Sequence, residues 1–179
     1  MSKKKNIILG VCASIAIYKA CELIRRLREN GFDPTVVMTE EAKEMIRPVV
    51  FQSLSANPVY CGMFETVDSW KANHISLAER ADLVLIAPAT ANVIAKVSLG
   101  ICDDLLTCLC CATKAPILIC PAMNTNMYEN RITQENIRRL KGLGYKFVGP
   151  KSGKLACGET GTGCLAEIDK IVGQVKRLV

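Results

Sequence analysis

The stretch Asn6-Ile-Ile-Leu-Gly-Val11 and its continuation Cys12-Ala-Ser-Ile-Ala-Ile-Tyr18 decide the fold. Five aliphatic or small residues in succession, without polar alternation, read as a strand covered on both faces. Small residues then turn the chain into a helical pattern with Ala16, Ala20, Leu23, Ile24 and Leu27 on one stripe, which Gly31 ends. Thr35-Val-Val-Met38 is the next strand, and Thr39 with Glu40 and Glu41 has the form of a capped, acidic first helical turn. Leu83-Val-Leu-Ile-Ala87 and Ile117-Leu-Ile-Cys120 are too short for helices and read as central parallel strands. Helical stretches are expected over 75–81, 91–97, 103–113 and 133–143, with a strand at 146–148. A closing amphipathic helix carries Ile168, Ile171, Val172, Val175 and Leu178. The expected architecture is a doubly wound, Rossmann-like α/β fold with a mostly parallel sheet, formed as one domain over 1–179.

Composition agrees with this. Of 179 residues, 50% are hydrophobic and 22% charged, which excludes wholesale disorder. No apolar run reaches the roughly 18–20 residues that span a bilayer, and no cleavage-type leader precedes the first strand. The expectation is a soluble, cytoplasmic protein with no membrane partner. Its ten cysteines should then be reduced, most of them packing as small hydrophobes. Cys108, Cys110 and Cys111 fall in a predicted buried helix with no second ligand cluster, so core packing is expected there and no metal site. The same is expected of Cys12, Cys21, Cys61, Cys102 and Cys120. Of the net charge of +6, the first 30 residues supply +5, through Lys3, Lys4, Lys5, Lys19, Arg25, Arg26 and Arg28 against Glu22 and Glu29. The arginines fall in the last turns of a predicted helix, where cations complement the carbonyl dipoles. Without a basic patch interleaved with aromatics, a nucleic-acid partner is not expected.

In a doubly wound sheet, ligands sit beyond the carboxyl ends of the strands. The first turn holds one glycine, not a dinucleotide fingerprint, but Ser14 and the helix start near Ile15 suit a single phosphate group, with Thr39 close by. In Ala87-Pro-Ala-Thr-Ala-Asn-Val93, small residues admit a flat ligand, and Thr90 and Asn92 can hydrogen-bond its polar edge. In Pro121-Ala-Met-Asn-Thr-Asn-Met127, Asn124 offers a donor and an acceptor for a carboxylate or amide. Ser14 and Thr39 also have a plain reading as N-caps and Asn124 as a turn residue, while the segment with Thr90 and Asn92 resists such a reading better. His74, the only histidine, stands at the start of a helix and cannot form a multi-histidine metal site. Cys157 lies in Gly153-Lys-Leu-Ala-Cys-Gly-Glu-Thr-Gly-Thr-Gly163, whose four glycines and few apolar anchors suit a mobile flap.

Together these segments resemble, in order and spacing across essentially the whole chain, the flavin-containing cysteine decarboxylases. The residues that carry the resemblance are Pro88-Ala-Thr-Ala-Asn-Val93, Pro121-Ala-Met-Asn-Thr-Asn-Met-Tyr128 and Leu155-Ala-Cys-Gly-Glu-Thr-Gly-Thr-Gly163. The fit is best to members acting on 4′-phosphopantothenoylcysteine in coenzyme A biosynthesis. It implies FMN held by Ala13, Ser14, Ile15, Thr39, Thr90, Ala91, Asn92, Val93 and Ala122. It also implies Asn124 on the substrate carboxylate, His74 as base or positioning group, and Cys157 as proton donor. Lys154, Ala156 and Leu165 would be contacts of a flexible substrate clamp at about 151–166. The implied reaction releases CO2 and yields 4′-phosphopantetheine through a thioaldehyde and an enethiolate. Departures are Ala13 for a frequent glycine, Thr90 for serine, Val93 for threonine, Tyr128 for tryptophan, and Lys154 for the arginine of some members. The resemblance further implies a homo-oligomer, trimer or dodecamer, and a separate phosphopantothenate-cysteine ligase in the pathway, the length being that of a decarboxylase domain alone. A decarboxylase of C-terminal peptide cysteines, a flavin prenyltransferase and a non-catalytic flavoprotein regulatory subunit are the alternatives.

Overall fold

Side chains alternate across a strand, so a strand buried along its whole length must feed two cores. In the computed structural model, which describes residues 4–64 and 72–179, β1 (Asn6–Val11) does so. Ile7, Leu9 and Val11 enter one core, where α1 (Lys19–Glu29) contributes Leu23, Ile24 and Leu27, α3 (Pro48–Ser55) Phe51, and α9 (Ile168–Leu178) Ile171, Val172 and Val175. Ile8 and the following Cys12 enter the other. There α4 (Asn73–Arg80) contributes Leu77, α5 (Ala91–Leu99) Val93, Ile94 and Val97, α6 (Leu105–Ala112) Leu105, Leu106 and Leu109, and α8 (Arg131–Gly142) Ile137 and Leu140. Gly10 lets α6 come close, because a Cβ there would lie 2.6 Å from Leu106 Cδ1.

β2 (Asp33–Met38), β3 (Val59–Tyr60), β4 (Leu83–Ala89), β5 (Ile117–Pro121) and β6 (Lys146–Phe147) complete the main sheet. Its order is β3-β2-β1-β4-β5-β6, with every neighbouring pair parallel. The chain winds outward from β1 to one edge, returns to β4 beside β1, and winds outward to the other. This is the expected doubly wound α/β fold, with its reversal of strand order between β1 and β4.

Local differences have local causes. The first helical pattern opens as a 3-10 turn, Ile15–Tyr18, capped by Ser14, and becomes α-helical only at Lys19. Thr39 precedes α2 (Glu40–Lys43) as expected, but its side chain makes no capping bond and is buried. The short β3, α3 and α7 (Thr125–Glu129) carry too few periodic apolar positions to announce themselves. The glycine-rich flap is an antiparallel hairpin, β7 (Lys151–Lys154) with β8 (Thr160–Cys164). The cysteines divide more evenly than expected. Cys12, Cys61, Cys110 and Cys120 are buried, and burial pushes the Cys12 thiol up to about 12. Cys102 and Cys111, however, are exposed and do not pack in the core. Among the described residues no helix is long and apolar enough to cross a membrane. Lys3 lies outside them.

The hairpin is seated by backbone contact. Met123 N–H donates to Gly163 O at 3.0 Å, and a Cβ on Gly163 would lie 2.1 Å from Met123 O. Gly163→Ala is therefore expected to cost about 1–3 kcal/mol by overpacking. Gly173→Ala, within α9 with nothing inside 4 Å of its Cβ, should instead stabilise by about 0.5–1 kcal/mol. Urea unfolding of the two variants checks the opposite signs.

Candidate active site

Backbone hydrogen bonds bring the carboxyl ends of three strands side by side. Cys12 N–H donates to Pro88 O at 3.2 Å, joining the ends of β1 and β4, and Ala122 N–H donates to Ala89 O at 3.0 Å, joining β4 to β5. Each strand then runs into a turn whose polar side chain caps the next helical element. Ser14 Oγ accepts from Ala16 N–H at 3.3 Å. Thr90 Oγ1 accepts from Val93 N–H at 3.4 Å. Asn124 Oδ1 accepts from Asn126 N–H at 2.8 Å. The N-cap reading of Ser14 is thus realised, Thr90 and Asn124 cap as well, and the capping bonds orient all three side chains.

Between these turns and the hairpin lies a cleft of about 630 Å³, within the range of ~300–1,000 Å³ typical of small-molecule sites. Ala13, Ala16 and Ala122 keep part of its wall small, which admits a flat group close to the backbone. Among the described residues its only ionised lining side chains are Lys19 and Lys154, and no carboxylate lines it. Asn124, its acceptor committed to the α7 cap, turns its Nδ2 donor towards Cys157 Sγ at 3.8 Å. The Cys157 thiol also reaches Glu159 Oε2 at 3.9 Å. An amide donor and an exposed thiol from elements 33 positions apart in sequence therefore meet at one point of a cationic cleft.

Of the residues singled out from sequence, Ala13, Ser14, Ile15, Thr90, Ala122, Asn124, Lys154, Ala156, Cys157 and Leu165 line the cleft. Ala91, Asn92, Val93, Thr39 and His74 do not. The Val93 side chain packs in the second core, which leaves only its backbone on the turn. His74, in the first turn of α4, has a buried Nδ1 with no hydrogen-bond partner among the described residues. Sequence reasoning does not single out Tyr18, Lys19, Met123, Met127, Leu155 and Cys164, which also line the cleft. For Tyr18 the available signal is the eclipsing of positions three apart in a 3-10 turn, which aligns it with Ile15.

The whole chain, residues 1–179, matches the family model described as flavoprotein. It is 46% identical over 174 residues to a probable phosphopantothenoylcysteine decarboxylase of Streptococcus mutans, covering 96% of this chain and 97% of that one. It is 44% identical over 172 residues to the coenzyme A biosynthesis bifunctional protein CoaBC of Bacillus subtilis, where the match spans 96% of this chain but 42% of the relative. Among solved structures, it is similar to a PPC decarboxylase mutant complexed with pantothenoylaminoethenethiol, with a TM-score of 0.90, 28% identity and 98% of each chain covered. It is also similar to the FMN-dependent cysteine decarboxylase SpaF, with a TM-score of 0.85, 28% identity and 97% of each chain covered.

The Asn124 geometry makes a specific prediction. Asn124→Asp retains a capping acceptor, so the unfolding midpoint should hardly move. It replaces the cleft-facing donor with a carboxylate oxygen, so the affinity for a carboxylate ligand should fall tenfold or more, as isothermal titration would read.

Proposed function

The chain belongs to the flavoprotein family, and from that footing we propose that it is an FMN-dependent decarboxylase. Its reaction converts 4′-phosphopantothenoylcysteine to 4′-phosphopantetheine and CO2 in coenzyme A biosynthesis. The observation that carries this reading is the meeting of Asn124 and Cys157 in a cleft whose ionised lining groups, among the described residues, are lysines. A substrate with a carboxylate at one end and a phosphate at the other needs a neutral, directed donor for the group that leaves as CO2. It needs fixed cations for the group that stays. Asn124 Nδ2 supplies the first, and Lys154 and Lys19 supply the second.

The cleft fits the cofactor in size and lining. The turn at Ala13, Ser14 and Ile15, with Thr90 and Ala122, would hold it from one chain, joined by Thr39 and the 91–93 segment through their backbone or at a contact between copies. When bound, FMN supplies the two-electron chemistry that makes loss of CO2 from an otherwise unactivated carboxylate feasible. The protein's own groups do the rest. Asn124 positions the carboxylate. Cys157, carried on the turn between β7 and β8, delivers a proton to the substrate carbon that must be re-protonated, with Ala156 beside it on the same turn and Leu165 on the fixed wall of the cleft. His74 acts as base or positioning group.

The protein is proposed to work as a homo-oligomer, trimer or dodecamer, in which a second copy brings His74 to the cleft. Support comes from the placing of His74 outside the one-chain cleft and from Ile15 and Tyr18, which line it while 62% and 61% exposed. A phosphopantothenate-cysteine ligase is the pathway partner that such a substrate requires.

The test is incubation of the purified, FMN-loaded protein with 4′-phosphopantothenoylcysteine and identification of the product by mass. Phosphopantetheine is expected; its absence overturns the reading. In Cys157→Ser, CO2 release should persist while phosphopantetheine output falls by roughly 10²-fold or more, the scale of a lost general acid. An oxidised, enethiol-mass product should accumulate in its place.

A further inference from the structure

Three cysteines that the cleft does not use come together where the 100–104 connection enters α6. Cys108 and Cys111 are three residues apart and share one face of that helix. Cys102 lies two residues before the capping residue Asp104. The Cys102 thiol reaches Thr107 O at 3.9 Å, the carbonyl one helical turn before the Cys111 N–H, so Cys102, Cys108 and Cys111 share one small patch of α6. Cys108 Sγ also lies 3.3 Å from Cys102 O and 3.5 Å from Met63 Sδ. Packing accounts for a buried free cysteine, but Cys102 and Cys111 are both exposed. Their meeting is held by polar contacts around it. Asp104 and Thr107 form a reciprocal capping box, and Lys96 on α5 pairs with Asp103 at 2.8 Å and Asp104 at 3.1 Å. A disulfide needs Cα atoms ~4.4–6.8 Å apart and an S–S bond of ~2.05 Å, a geometry that side chains converging on one turn of a helix can reach by rotation about χ1.

We infer that Cys102 and Cys111 are a reversible dithiol–disulfide site, oxidised by low-molecular-weight disulfides of the glutathione class. The exposed Cys102, as thiolate, attacks one sulfur of the small disulfide. This breaks that S–S bond, releases one small thiol after protonation, and leaves a mixed disulfide on Cys102. Cys111 gives up its proton and attacks the Cys102 sulfur, forming the internal bond and releasing the second small thiol. Two protein thiols are oxidised, one small disulfide is reduced, and no other oxidant takes part. The order comes from the surroundings. The neighbouring Cys102 thiol, then burial, push the Cys111 thiol up to about 11, so Cys111 stays protonated until the mixed disulfide is beside it. Cys108, half-buried against Met63, is the less accessible neighbour. The closed bond ties the connection leaving α5, whose first turn begins at the cleft residue Thr90, to the last turn of α6.

The test uses the purified full chain with its bound flavin, equilibrated without oxygen over a series of reduced-to-oxidised glutathione ratios. Free thiols are blocked in an acid quench, disulfides are reduced, and the released thiols take a second mass label. Cys102 and Cys111 are expected to gain the second label together as the ratio becomes oxidising, and to lose it together after dithiothreitol. Cys111→Ser should trap one glutathione on Cys102, while Cys102→Ser should leave Cys111 with the first label. The inference is overturned if both cysteines keep the first label at the most oxidising ratio. It is equally overturned if Cys102 pairs with another cysteine, or if Cys111→Ser leaves Cys102 unmodified.

Discussion

Burial of the central strands on both faces is the constraint on which everything else in this chain rests. β1, β4 and β5 present almost nothing to water, so each must be covered twice. Helices are therefore distributed to both sides of one parallel sheet, and the connections from β1 and β4 are driven in opposite senses. The crevice between those connections needs no dedicated design: a doubly wound sheet leaves one wherever its strand order reverses. Gly10 marks how tightly the covering is drawn, since α6 approaches β1 through the space that a side chain there would occupy.

The polar groups at the rim of the crevice also have structural duties. Ser14, Thr90 and Asn124 each cap the helical element after a strand. Capping consumes an acceptor and leaves the side chain oriented. For Asn124 this decides the sign of the site, because the atom left facing the cleft is a donor. Among the described residues the ionised side chains on the cleft wall are both lysines. Directed donors and fixed cations favour an anionic ligand before any catalytic step is considered.

Much of this is legible from the residues. Unbroken apolar runs mark the central strands, and strand ends mark the cleft, so ten of the fifteen distinct site residues named from sequence line it. The rest escape for physical reasons. The hairpin has no apolar alternation, since its strands are built mainly from glycine, threonine, serine and lysine and its order comes from the ladder and from contact with the β5 turn. A two-residue edge strand such as β3 has no period to read. Lys19 joins the cleft from the junction of a 3-10 turn and α1, which an unbroken helical stripe does not register. Cys102 precedes the acidic cap of α6 and Cys111 stands in its last turn, either side of a cysteine- and leucine-rich run that composition alone assigns to the core.

The seating of the hairpin has a consequence for how such a protein can change over generations. Gly161 and Gly163 hold its base against the turn at Met123 and Thr125, and Leu165 and Ala166 continue directly into the core. The turn at its tip, from Leu155 to Glu159, closes through its own backbone bonds and carries no share of the core. Substitutions at the tip are therefore screened by selection for chemistry and hardly at all by selection for folding. Those at the base are screened by folding first. A lineage built on this fold can exchange one thiol-bearing substrate for another by rewriting a few exposed residues, while the sheet that positions them stays unchanged.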